Sequence, residues 1–110
     1  MKHNKIKTLS NLFEGSEIRS IWDSEKEDYY FSVVDVIKAL TDSINPRYYW
    51  YKLKTRMTDE EKFEVLTNCR QLRMKAQDGK LRLTDTLDTA GILRLIESVP
   101  SPKAEVLCTE

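Results

Sequence analysis

The break at residues 42–46 constrains the fold of this chain more than any other feature, because a helical pattern lies on each side of it. The segment Asp42-Ser43-Ile44-Asn45-Pro46 interrupts the first pattern, and a proline in the first turn is pre-set to begin a new helix. The sequence therefore predicts two consecutive helices, over residues 33–41 and 46–57, joined by a short turn.

The first helix has a start signal and an apolar side. Ser32 followed by Asp35 fits an N-cap residue with a carboxylate in the first turn, where the helix dipole favours negative charge. Five apolar residues then share one broad arc, which predicts a core helix ending near Thr41: Val33, Val34, Val36, Ile37 and Leu40.

The second helix divides into two faces at a period of 3.6 residues. One face carries residues that we expect in the core, namely Tyr49, Trp50, Leu53 and Met57. The remaining circumference is basic and aromatic, and it carries Arg47, Tyr48, Tyr51, Lys52, Lys54 and Arg56. Because no acidic residue occurs between Asn45 and Met57, nothing within this segment offsets its positive charge.

A β-hairpin is predicted around Asp78-Gly79, the strongest hairpin turn signal in the chain. Its strands comprise residues 72–76 and 81–83. Apolar and basic residues alternate along the first strand, as Leu72, Met74 and Ala76 against Arg73 and Lys75. The alternation predicts one apolar face and one basic face.

The segments around these elements predict a further hairpin and a connecting piece. Residues 17–22 and the aromatic run 29–31 form the hairpin, with a charged turn between them. Thr58 to Glu61 is an acidic turn or a short capped helix, and Phe63 to Leu66 fits a short strand.

A last helix over residues 87–98 completes the fold, with Thr84-Asp85-Thr86 as its cap and Pro100-Ser101-Pro102 as its stop. Its core side is Ile92, Leu93, Leu95 and Ile96. Together the elements predict a small α+β single domain with two β-hairpins and about three helices. The order helix, helix, hairpin resembles a winged helix, in which the second helix enters the major groove and the hairpin touches the DNA backbone.

The formal net charge of zero hides a strong segregation along the chain. Residues 14–43 contain three basic and eight acidic residues, whereas residues 44–83 contain ten basic and five acidic ones. An anionic partner is therefore expected at the middle of the chain. Unevenly charged, solvated helix faces would produce the same segregation. Charge segregation alone therefore does not identify nucleic acid as the partner.

Basic residues interleaved with tyrosines favour a DNA-contacting surface. Lys and Arg neutralise phosphates, Arg can also contact guanine edges, and an exposed Tyr can donate to phosphate or pack on a sugar or base. The candidate contacts are Arg47, Tyr48, Tyr51, Lys52, Lys54, Arg56, Arg73, Lys75, Lys80 and Arg82. The alternative is a buried helix with Lys and Arg reaching out to water, which we accept for Tyr49 and Trp50.

Other chemistry has little support in the residues. His3 is the single histidine, and Cys69 and Cys108 are the two cysteines, which provide neither a disulfide framework nor a zinc site. Adjacent acids at 59–61 are more typical of a solvated, helix-capping run than of a Mg²⁺ site. We therefore expect no enzyme activity, no metal and no cofactor. With no membrane-length apolar stretch and no signal peptide, a cytoplasmic protein is predicted.

Several segments resemble the N-terminal domain of the BRO family, which occurs in prophage antirepressors and related bacterial and viral proteins. The similarity covers roughly residues 12–105 and rests on Ile18-Arg19 with Trp22, Tyr30 to Val36, Asp42-Ser43, Asn45 to Trp50, Thr67 to Cys69, Gln71-Leu72, Asp78 to Lys80, Thr84-Asp85 and Ile92 to Glu105. The resemblance implies a DNA-binding α+β domain of a transcriptional regulator, without cofactor or catalysis. It does not assign individual contact residues.

The domain limits follow from the same comparison. Residues 1–11 are expected to be a flexible lead-in, 12–105 the DNA-binding domain, and 106–110 a tail. Similar family members continue with Pro-Phe and an amphipathic helix, so we expect the tail to be truncated.

Double-stranded DNA is the expected partner, and two alternatives remain. One is a protein-interaction module that sequesters a repressor through the acidic segment 14–43. The other is a metal-dependent nuclease using Asp59, Glu60 and Glu61. Self-association into a homo-oligomer is left open.

Overall fold

A computed structural model of the chain describes residues 17–99. The predicted lead-in, proline stop and tail lie outside these residues. Within them the chain forms β1 (Ser20–Asp23), β2 (Asp28–Ser32), α1 (Val33–Thr41), α2 (Pro46–Arg56), α3 (Asp59–Leu66), β3 (Arg70–Lys75), β4 (Leu81–Asp88) and α4 (Thr89–Ser98). This small α+β domain with two β-hairpins confirms the predicted fold class.

The four strands form one antiparallel sheet in the order β1-β2-β4-β3. Pairing of β2 with β4 over residues 30–32 joins the two hairpins at the centre of the sheet. The sheet is curled, and two contacts link β3 to β1 and to the residue that precedes β1. Arg70 of β3 lies 3.7 Å from the Asp23 carboxylate of β1, and Arg19 Nη1 donates to the Lys75 carbonyl of β3 at 3.1 Å.

The first helix begins directly where β2 ends. The Ser32 hydroxyl accepts a hydrogen bond from the Asp35 backbone N–H at 3.4 Å, which confirms the predicted N-cap. The Asp35 carboxylate accepts from Arg19 Nε at 2.7 Å, so the start of α1 is also tied to the segment before β1. Asp42 ends the helix in a left-handed conformation, with φ of 54°. The predicted bounds of α1 are therefore confirmed.

The hydrophobic core is built mainly from helices. Buried residues of α1 and α4 supply most of it, and Leu87 of β4 joins them: Val33, Val36, Ile37, Ala39, Leu40, Ile92, Leu95 and Ile96. Val34 and Leu93, which were also expected in the core, are only partly buried against it. The helical periodicity therefore identified the buried sides correctly, apart from these two residues at their margins.

The predicted strand at Phe63 to Leu66 is wrong, because these residues belong to α3. The Thr58 hydroxyl accepts from the Glu61 backbone N–H at 3.2 Å, and the Glu61 carboxylate accepts from the Thr58 N–H at 3.3 Å. This reciprocal capping box satisfies backbone donors that a helix start would otherwise leave unpaired. The alternative of a capped helix is confirmed, and residues 17–99 contain four helices rather than about three.

The predicted cap at Thr84 to Thr86 is also wrong, since these residues continue β4. All three residues pair with β3, Thr86 pairs with β2 as well, and β-branched threonines fit a paired strand well. The cap of α4 is Asp88, whose Oδ1 accepts from the Gly91 N–H at 2.9 Å. The strand is thereby five residues longer than predicted, and the helix begins two residues later.

Candidate nucleic-acid interface

The second helix positions most of the predicted contact residues. Asn45 Oδ1 accepts a hydrogen bond from the Tyr48 backbone N–H at 3.1 Å, and Pro46 occupies the first turn. Lys54 and Arg56 lie in the last turn, where the helix dipole favours cations. Since α2 contains no acidic residue, its basic side chains have no charge partner within the helix.

The two predicted faces of α2 are present. Trp50, Leu53 and Met57 are buried, and Tyr49 is half-buried against the core. Tyr48 and Tyr51 are 57% and 58% exposed, which excludes the alternative that they belong to the core. These two tyrosines form an exposed arc of α2 together with Arg47, Lys52 and Arg56. We call these five side chains the exposed arc.

One carboxylate on the sheet holds the inner side of α2. Asp85 Oδ2 accepts from the Trp50 indole N–H at 2.7 Å and from Lys54 Nζ at 3.2 Å. Its other oxygen accepts from the Gln71 side chain at 3.1 Å. Lys54 also lies over the Trp50 ring, 5.0 Å from the centroid. Lys54 is therefore engaged beneath the helix, although the sequence grouped it with the outward-facing cations.

The same contacts set the ionisation of Asp85. Burial acts to raise its pKa, but the hydrogen bonds from Trp50, Gln71 and Lys54 and the Lys54 charge outweigh burial. The pKa of Asp85 is therefore lower than that of an ordinary aspartate. The residue carries its negative charge at neutral pH and compensates the positive charge of Lys54.

The register of the β3–β4 hairpin decides which face carries each basic residue. Residues directly opposite each other in an antiparallel pair lie on the same face. The pairs are Arg73 with Leu83, Met74 with Arg82, and Lys75 with Leu81. The predicted division into an apolar and a basic face therefore holds along β3 but is wrong for the hairpin as a whole. Two leucines of β4 lie beside Arg73 and Lys75, and an arginine lies beside Met74.

The helix and part of the hairpin lie on the same side of the sheet. Side chains alternate along β4, so Asp85 shares the face of Arg73 and Lys75. Because Trp50 and Lys54 contact Asp85 from α2, the helix packs on that face. The structure thus brings Arg73 and Lys75 to the same side as the exposed arc.

The other two hairpin candidates are placed differently. Arg82 lies on the opposite face and forms an ion pair with Asp78, whose pKa this arginine lowers. Lys80 is exposed at the turn. The ten candidates therefore do not form a single surface: Arg82 lies away from it and Lys54 lies beneath it.

The chain matches a known family over most of its length. Residues 17–108 match the model described as BRO family, N-terminal domain (Bro-N). The chain belongs to the BRO family. The resemblance seen in the sequence is thereby confirmed, and the match includes every described strand and helix of this Bro-N domain. No curated protein and no solved structure matches the chain. Bro-N is a domain family of DNA-binding type and is not a known enzyme family.

The acidic run of the Bro-N domain contributes to a helix start. Asp59, Glu60 and Glu61 form the first turn of α3, and Glu61 is held by Thr58. Across residues 17–99, no three His, Cys, Asp or Glu side chains are grouped so that they would hold a metal ion. No helix in the same range is long and apolar enough to cross a membrane.

Cys69 of the Bro-N domain, which lies near Lys54 of α2, is a poor nucleophile. Burial, and to a smaller extent the negative charge of Asp85, raise the pKa of the Cys69 thiol to about 11. The thiol is therefore protonated at neutral pH, when the reactive form is the thiolate.

Three exposed apolar residues of the Bro-N domain were missed as candidates. Ile44 is fully exposed in the turn before α2, and Leu81 and Leu83 are exposed on the Arg73 face of the hairpin. A signal for the leucines exists in the sequence, because the two alternate with Arg82 along a strand. The face on which the two leucines lie depends on the hairpin register, which the alternation does not determine.

Proposed function

We propose that this Bro-N domain binds double-stranded DNA and regulates genes of a phage or another mobile element. The observation that supports the proposal is the exposed arc of α2, which carries three cations and two tyrosines and no carboxylate. The DNA-binding type of the family agrees with it. The resemblance to prophage antirepressors supplies the regulatory part of the proposal.

The chemistry of the arc suits the major groove, which admits an α-helix. Arg47, Lys52 and Arg56 would neutralise phosphates and release counterions, and an arginine can also contact a guanine edge through two hydrogen bonds. The hydroxyls of Tyr48 and Tyr51 would donate to phosphates. Such contacts need no large rearrangement of the protein, because the inner side of α2 is already packed.

The hairpin would extend this surface. Arg73 and Lys75 form no ion pair within residues 17–99 and lie on the face against which α2 packs. They would contact phosphates beside the groove that the helix enters. Lys54 and Arg82 would contribute less, since each already has a carboxylate partner. Lys80 remains a candidate at the turn.

Salt dependence of duplex binding tests the proposal. We expect a steep loss of affinity with salt in the wild-type protein, and a slope lower by about 1–2 in Lys52→Gln/Arg56→Gln protein, because each phosphate contact contributes about 0.9. The matched control is Lys38→Gln/Lys62→Gln, which removes two exposed lysines from α1 and α3. A flat slope in the wild-type protein, or equal slopes in the two variants, would contradict the proposal.

A second candidate function is capture of a repressor protein through the acidic segment 14–43. One observation favours it: an open groove of about 310 Å³ is lined by Ile21, Trp22, Asp23, Ser24, Glu25, Tyr30, Arg70 and Leu72. Trp22 is half-exposed there and lies beside acidic residues. Capture of a repressor by Lys52→Gln/Arg56→Gln protein at wild-type affinity, together with absence of DNA binding, would favour this candidate over the first.

A further inference from the structure

Two leucines and two cations form an exposed quartet on the β3–β4 hairpin. Leu81 and Leu83 are 61% and 58% exposed, and their cross-strand partners Lys75 and Arg73 are exposed as well. We call these four side chains the hairpin patch. The core needs neither leucine, so burial within the domain does not explain them. Adjacent exposed apolar side chains often mark an interaction site.

The hairpin holds the patch in a defined shape. The Ala76 N–H donates to the Lys80 carbonyl at 2.8 Å, so the next pair, Lys75 with Leu81, is a pair without ladder hydrogen bonds. Side chains of such pairs are the closer ones in an antiparallel sheet. Gly79 closes the turn at φ of 83°, which other residues rarely adopt. The patch is thereby presented on a short, regular ribbon.

The charges around the patch favour DNA over a second copy of the domain. The next pair on the same face is Gln71 with Asp85, and the Asp85 charge is already compensated by Lys54. Among residues 17–99, Arg73 and Lys75 remain as cations without an ion pair. A symmetric contact between two copies would place these cations against each other, since the same patch meets itself in a two-fold interface. A polyanion that also accepts apolar side chains fits the patch better.

The patch is offset along β4 from the point where the inner side of α2 contacts the sheet. Leu81 lies four residues along β4 from Asp85, the residue that α2 contacts, which corresponds to about 13 Å. Neighbouring major and minor grooves are separated by half a turn, or about 17 Å. With α2 in the major groove, an offset of this order would bring the patch toward the adjacent minor groove.

We infer that the hairpin patch enters the minor groove, with Leu81 and Leu83 wedged at a base step and with Arg73 and Lys75 on the flanking phosphates. Leucine is one of the apolar side chains that partly unstack base steps and bend DNA away from the minor groove. The favoured target would contain a flexible TA or CA/TG step, which deforms at low cost. This inference rests on the proposed function, because it needs α2 on DNA.

Bending and unstacking of a labelled duplex test the inference. A duplex of about 30 base pairs carries energy-transfer dyes at its ends and 2-aminopurine at a central TA step. We expect wild-type protein to bend it by about 20–90° and to raise the 2-aminopurine fluorescence. Leu81→Ala/Leu83→Ala protein should bind about tenfold more weakly and lose the bend, with an unchanged salt slope because no charge is removed.

Control variants separate the wedge from general effects. Leu81→Met/Leu83→Met should keep the bend, and Phe63→Ala, which removes an exposed ring from α3, should have no effect. Binding without bending, or an equal bend in the leucine-to-alanine variant, would overturn the inference and leave the proposed function standing. A dimer that becomes monomeric in that variant would also overturn it. Absence of any duplex binding would overturn both.

Discussion

The Trp50 indole N–H and the Asp85 carboxylate are joined by a 2.7 Å hydrogen bond that connects the middle of α2 to β4. Asp85 thus holds α2 through the core residue Trp50. Because Lys54 pairs with the same carboxylate, Asp85 also compensates the positive charge of Lys54. Asp85 therefore helps to fix the position of the exposed arc relative to the hairpin, together with the buried side of α2.

Replacing Asp85 by asparagine should destabilise the fold by about 1–3 kcal/mol at pH 7, because hydrogen bonds to a charged acceptor are lost. The pKa of Asp85 is lowered in the folded protein, so its contribution is complete above the ordinary aspartate pKa, near 4, and declines as the pH falls through the lower folded value. Urea unfolding at pH 7 and at pH 3 measures the difference. A difference that does not shrink at acidic pH would contradict this account.

Lys54 and Lys52 should differ in their effect on DNA binding although they lie two residues apart. Lys52→Gln should lower the salt slope by about 0.9, as expected for loss of one phosphate contact. Lys54→Gln should leave the slope nearly unchanged, since Asp85 already compensates that charge. Titration of a fluorescent duplex at several salt concentrations measures both. Equal slopes in the two variants would show that Lys54 reaches the DNA.

The exposed tyrosines should matter for binding and not for folding. Tyr48→Phe and Tyr51→Phe should leave the free energy of unfolding within about 0.5 kcal/mol, because both side chains are largely exposed. Each lost hydroxyl should weaken duplex binding by about 0.5–1.5 kcal/mol. Thermal unfolding and duplex titration on the same samples make the comparison. Unchanged affinity in both variants would remove the tyrosine hydroxyls from the interface.

The hairpin offers a matched pair of arginines on opposite faces. Arg73→Gln should weaken duplex binding and lower the salt slope, whereas Arg82→Gln should do neither, because Arg82 faces away from the α2 side and pairs with Asp78. The two substitutions are identical in chemistry and differ only in the face they affect. If Arg82→Gln has the larger effect, the interface lies on the other side of the sheet.

The division of α2 into a buried and an exposed face was predictable from the sequence. Asn45 and Pro46 mark the start of the helix locally, and the 3.6-residue period separates Trp50 and Leu53 from the tyrosines. These signals depend on neighbours within a few residues. The engagement of Lys54 was not predictable, because its partner Asp85 lies on a distant strand.

The faces of the hairpin were predicted incorrectly because the sequence leaves the loop length ambiguous by one residue. As a two-residue turn, Asp78-Gly79 would place Lys75 opposite Arg82, and the basic residues would share a face. In the structure the loop has three residues, Gln77 to Gly79, so Lys75 lies opposite Leu81. Because side chains alternate, this shift moves Arg82 to the other face.

The wrongly predicted helix cap arises because threonine suits both an N-cap and a paired strand. Thr84 and Thr86 have side chains that suit an N-cap, but strand pairing keeps them extended, since Thr84 pairs with β3 and Thr86 pairs with both β2 and β3. Such pairing is a tertiary effect that local sequence does not reveal. At Thr58 the local capping signal was sufficient, and the helix forms there.

The contact between Arg19 and the Lys75 carbonyl also bears on the behaviour of the protein at high concentration. Lys75 belongs to a pair without ladder hydrogen bonds, so its carbonyl points away from β4, toward the side where the strand of another molecule would add. Arg19 already occupies that acceptor at 3.1 Å. The exposed edge of β3 is further protected by the charges of Arg70, Arg73 and Lys75. Intermolecular β-pairing, a common first step of aggregation, is therefore disfavoured at this edge.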